Sequence, residues 1–129
     1  MNTVANLFYM LIKADGYIDP KELEMGRRMS DLEGFNSNEF ECQVESLQKK
    51  NDNVIYQDCI EGLKKMSETD QVRFVAWMCL IANSDGFMHN AEWSLIYKIY
   101  HNELGLDRQM ILDSQFKLRR QLLELTVLA

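Results

Sequence analysis

Asp15-Gly16-Tyr17-Ile18-Asp19-Pro20-Lys21-Glu22 returns seventy residues later as Asp85-Gly86-Phe87-Met88-His89-Asn90-Ala91-Glu92. Each copy follows an apolar run, residues 7–12 and 77–82, whose spacing is that of a helix. Gly16 and Gly86 supply the positive φ that ends a helix. In the first copy Asp19 reads as an N-cap, Pro20 as the first helical residue and Glu22 as the acid three places after the cap. The unit is helix, Asp-Gly turn, helix, and the chain carries it twice. Two such units packed together bring Asp15, Glu22, Asp85 and Glu92 toward one face.

Working outward, the periodicity predicts seven helices. The first carries Val4, Leu7, Phe8, Leu11 and Ile12. The second carries Leu23, Met25, Met29 and Leu32 and ends near Gly34. A third starts at Asn36 and carries Phe40, Val44 and Leu47. A fourth, after Asn53, carries Ile55, Cys59, Ile60, Leu63 and Met66. The fifth opens at residues 67–70 and is apolar almost all round from Val72 to Ile81, so it is expected at the centre of the molecule. The sixth, capped by His89 or Asn90, carries Trp93, Ile96, Tyr97, Tyr100 and Leu104 and ends at Gly105. The seventh, capped by Asp107, lines Ile111, Gln115, Leu118, Leu122 and Leu125 along one face. No stretch alternates with period two. The fold class is therefore all-α: one compact seven-helix domain over residues 1–129, with two pseudo-symmetric helix–Asp-Gly turn–helix units around a buried central helix.

Composition narrows the function. The chain is 47% hydrophobic and 26% charged, which is globular rather than disordered. Twenty acids against fourteen bases give a net charge of −6, which favours cations or a basic partner. The basic residues are scattered in pairs, without the stripe that neutralises phosphates, so nucleic acid is excluded. Cys42, Cys59 and Cys79 are odd in number and sit in apolar helical contexts; they read as small buried thiols of a reducing, cytoplasmic compartment. The apolar runs at 7–12 and 74–82 are too short for a signal core or a transmembrane segment. His89 and His101 read as surface residues, and the eight methionines as core filler. No nucleophile motif, Walker loop or dinucleotide fingerprint is present, so an enzyme is not expected.

Two readings of the acidic turns remain. With Asp15 and Gly16 at positions five and six of an EF-hand loop, Glu22 falls at twelve, and the second copy matches equally. Positions one and three would then be Leu11 and Lys13, or Ile81 and Asn83. Leu and Ile offer no oxygen and Lys repels a cation, so these are not EF-hands. Four carboxylates with turn carbonyls and water still suit a divalent cation, Ca²⁺ or Mg²⁺. On the other reading the acids are caps and turn residues alone. The domain is then a protein–protein interaction scaffold that uses an apolar groove or the run at residues 122–128.

The run from Ile12 to Glu22 resembles the A-D-G-x-I-x-x-x-E signature of the TerB-like (tellurite-resistance protein TerB) domains. The run from Ile81 to Glu92, followed by Leu104-Gly105-Leu106, is similar to the second signature of that family. The resemblance implies an all-helical, non-enzymatic module of tellurite and other stress responses, with metal-ion binding and association with protein partners or a membrane-associated complex. The family's acidic positions carry over to Asp15, Asp19, Glu22, Asp85 and Glu92 as metal ligands. The second copy departs from the pattern at Ser84, Met88 and His89.

Overall fold

The computed structural model describes residues 1–86 and 88–128, with the backbone alone described for 125–128. Its helices are α1 (Asn2–Lys13), α2 (Pro20–Leu32), α3 (Ser37–Ser46), α4 (Asp52–Lys64), α5 (Glu68–Ala82), α6 (Asn90–Tyr97) and α7 (Arg108–Leu128). Among the described residues there is no strand. The expected seventh-helix face therefore holds for Ile111, Leu118 and Leu122, all buried. Leu125 and most of the 122–128 run have side chains outside the described residues.

Local chemistry sets the boundaries. Asp19 caps α2 by accepting from the Lys21 N–H at 2.7 Å, with Pro20 next in line. Asn36, Asn51, Ser67 and Asp107 accept in the same manner at the starts of α3, α4, α5 and α7. The fourth helix thus begins two residues earlier than the sequence suggested, because Asn51 and not Asn53 supplies the cap. Gly16 and Gly86 have φ of 79° and 85°, as the turn reading requires.

α5 lies at the centre. Every residue from Phe74 to Ala82 is buried, and Trp77 is fully enclosed. Burial leaves the indole N–H in need of an acceptor. It donates to Glu33 Oε2 at 3.0 Å, and Arg73 holds the same carboxylate while also reaching Asp70 at 2.7 Å. α5 packs against α7, α2, α1 and α6, while α1 packs against α4, α3, α5 and α6. The two units are therefore interleaved. The first helix of each touches both helices of the other unit.

Two expectations fail. Cys42 is exposed, because α3 packs inward through Phe40 and, in part, Val44, and Cys42 lies off that face. Cys59 and Cys79 are buried as expected, and burial pushes both thiols up to about 12. The sixth helix also does not run evenly to its glycine. After Tyr97 it widens into a π turn over Lys98–Glu103 before reaching Gly105. Glycine spacing explains why. Gly34 follows Gly16 by eighteen positions, whereas Gly105 follows Gly86 by nineteen. The second unit has one residue more, and a π turn is how a helix absorbs a single inserted residue.

Candidate metal centre

Interleaving brings the turn after α1 against the start of α6. Asp15 Oδ1 accepts from the Tyr17 N–H at 3.0 Å, which fixes the carboxylate within its turn. Its second oxygen, Oδ2, then faces across the seam and lies 3.3 Å from His89 Nε2. Asp15 is largely covered, with its side chain 13% exposed, and that of His89 is 44% exposed. Glu92, one turn into α6, joins them. One ligand atom from each of Asp15, His89 and Glu92 lies within 4.8 Å of the others.

Glu22 and Glu92 are the buried members, at 4% and 1% exposure. Glu92 Oε1 accepts from the His89 N–H at 3.2 Å, the reach-back of a capping box. The Asp19 backbone N–H serves Glu22 similarly. Capping therefore accounts for one oxygen of each carboxylate. Oε2 of Glu22 and Oε2 of Glu92 are buried with no hydrogen-bond donor. Such charge-bearing oxygens are costly unless satisfied, and the two carboxyls are close enough to share one proton held by Glu22, or a cation. Burial, and then the facing Glu92 carboxylate, push the Glu22 carboxyl up to about 9, with Asp15 adding to the shift. A proton on Glu22 is one way to relieve the pair, and a divalent ion is another.

Of the five expected acids, Asp15, Glu22 and Glu92 converge on this seam. Asp19 spends Oδ1 on its helix cap. Asp85 is exposed and does not belong to the grouped ligand atoms. The expected four-carboxylate face becomes three carboxylates and an imidazole. His89, read from the sequence as a surface residue, was missed. The signal was its place in the repeat. It occupies the position of Asp19, three residues before the buried glutamate.

The orphaned oxygens, the turned-in Asp15 carboxylate and the imidazole beside it are a donor set that fits a divalent cation. Nothing comparable surrounds the two buried cysteines. Among the described residues no helix is long and apolar enough to cross a membrane.

The family model for tellurite resistance protein TerB matches residues 2–113. That stretch contains both Asp-Gly turns, all of α1 to α6 and the start of α7. No curated protein and no solved structure matches the chain. The span of the match, the all-helical fold and the repeated turns agree, and the chain belongs to the tellurite resistance protein TerB family.

Proposed function

We propose that this TerB-family domain is a non-enzymatic module that binds one divalent cation in the seam between its two helical units. Asp15, Glu22 and Glu92 provide the charge, with His89 at the rim. The observation that carries this reading is the pair of buried glutamate oxygens without donors. Caps explain the other oxygen of each residue, and these two face one another with room for a shared proton or an ion in its place. An ion there takes the place of the proton that Glu22 otherwise holds and ties α1 and α2 to α6.

The test is the melting temperature of the chain across a divalent series, with Na⁺ matched for ionic strength. The wild type is expected to rise with the ion, and Asp15→Asn with Glu92→Gln to show no such rise. A wild-type curve that follows the ionic-strength control would overturn the cation reading.

A second reading, a scaffold that docks a protein partner, draws on a different surface. Leu112, Phe116 and Leu123 are exposed at helical spacing on α7. A cavity of about 200 Å³ also opens between α2 and α3, lined by Phe8, Leu23, Phe40 and Val44. Substitution of Phe116 and Leu123 by Ser would leave cation binding intact and abolish partner capture if this reading holds.

A further inference from the structure

We infer that the seam selects a borderline transition ion, of the Zn²⁺ and Co²⁺ kind, over Ca²⁺ and Mg²⁺, with His89 as the residue that sets the preference. The inference rests on the cation reading above and adds the class of ion.

Ca²⁺ takes six to eight ligands, all oxygen, and Mg²⁺ likewise takes oxygens and water in an octahedron. An imidazole nitrogen suits neither. It suits Zn²⁺ and its neighbours, which accept mixed nitrogen and carboxylate donors in smaller shells. The three converging donors are of that mixed kind: Asp15 Oδ2, a Glu92 carboxylate oxygen and a His89 ring nitrogen. All three lie within 4.8 Å of one another, and one pair is already at the spacing of a tetrahedral shell. An edge of a tetrahedron with bonds of ~2.0–2.1 Å is about 3.4 Å long, and His89 Nε2 lies 3.3 Å from Asp15 Oδ2. Three protein donors leave a fourth position for water or for Glu22, which abuts Glu92.

The two units supply an internal control. At the position before α2 the chain has Asp19, whose oxygen is held by the Lys21 N–H. At the matching position before α6 it has His89, whose side chain completes the capping box of that helix and also reaches the opposite unit through Nε2. The side chain before α2 offers the seam no ring nitrogen, whereas the one before α6 caps its helix and still presents Nε2 to the seam. This exchange favours a transition ion and disfavours a hard one.

The test is a calorimetric titration of the full chain, with Cys42→Ala and His101→Asn present to remove the exposed thiol and the other histidine. Ca²⁺, Mg²⁺, Mn²⁺, Co²⁺ and Zn²⁺ are compared at one pH and ionic strength. The expected result is at least tenfold tighter binding of Zn²⁺ or Co²⁺ than of Ca²⁺. His89→Asp is expected to remove most of that preference while still binding Ca²⁺. Equal or tighter binding of Ca²⁺ or Mg²⁺ by the parent chain would overturn this inference and leave the cation reading standing. A preference unchanged in His89→Asp would overturn it too. Binding of no ion at all would overturn the cation reading, and this inference with it. If His89→Asp does not fold, the parent chain still decides. Co²⁺ must broaden the His89 ring resonances in the NMR spectrum, and broadening confined to other residues would refute the assignment.

Discussion

The first unit, α1 with α2, and the second, α5 with α6, start from one pattern and end in different roles. Position by position they trade bulk. Leu7 of the first corresponds to Trp77 of the second, and the pair Phe8 and Gly26 corresponds to Met78 and Ile96. In the first unit the helices approach so closely that a Cβ on Gly26 would lie 2.4 Å from the Phe8 ring. The second has no glycine at that crossing; both Met78 and Ile96 are buried there. The second also carries the extra residue and its π turn. A duplicated motif thus keeps its turn chemistry, which is local, while its core diverges to suit two different neighbourhoods. α5 is surrounded on every side, whereas α2 has an open face.

The largest break in this comparison should come at the most enclosed site. Trp77→Ala is expected to cost ~3–5 kcal/mol through lost burial and cavity formation, with the Glu33 carboxylate left short of a donor. Leu7→Ala, the matching change in the first unit, should cost less, about 2–4 kcal/mol. Urea midpoints of the two variants give the ranking, and a greater loss for Leu7 would remove α5 from its central role.

Next comes the titration of the seam. Glu22 has a folded pKa raised from 4.5 to about 9, so folding favours its protonated form. Its contribution to stability is fully present below about pH 4.5 and is lost as pH rises toward 9. Without divalent ions the urea midpoint should fall across that window, and Glu22→Gln should flatten the slope. A slope that survives Glu22→Gln would place the titrating group elsewhere.

Gly26→Ala sharpens the contrast in packing. The new methyl must displace the buried Phe8 ring, an overpacking cost of ~1–3 kcal/mol. Ile96→Val, its counterpart, removes a single methylene for about 1 kcal/mol. Thermal melts of the two variants separate a crossing that rejects bulk from one that needs it.

The smallest effects are at the caps. Asp19→Ala should cost ~1 kcal/mol through loss of the acceptor for the Lys21 amide, with or without a divalent ion. His89→Ala should cost less than that when no ion is present and should matter chiefly when one is. Equal, ion-independent losses at both positions would leave His89 with its capping role alone.

Much of this was legible in the sequence because the signals were local. Asn36, Ser67 and Asp107 announce their helices by hydrogen bonds to amides two or three residues away. The unbroken apolarity of residues 74–82 announces burial. Cys42 misled because an apolar neighbourhood in sequence does not say which face of α3 turns inward. The π turn left only a count, nineteen positions between glycines instead of eighteen. The site divides in the same manner. The repeat drew attention to Asp15, Glu22 and Glu92. The shared Asp-Gly turn gave no means of telling Asp15, which is largely covered beside His89, from Asp85, which is exposed. Nothing about His89 as a histidine marks it out; its informative relation is to Asp19 in the repeat and, across the seam, to Asp15.

Interleaving also has a kinetic side. Asp15 and Glu92 are seventy-seven positions apart, so the seam closes one of the longest loops in the chain. Closing it costs chain entropy that only late-forming contacts repay, and an ion that needs both banks has nothing to grip before then. Interactions absent from the folding transition state slow unfolding and leave the folding rate nearly unchanged. An occupied seam therefore acts as a latch on the finished molecule, lengthening the lifetime of the native state without hastening its birth.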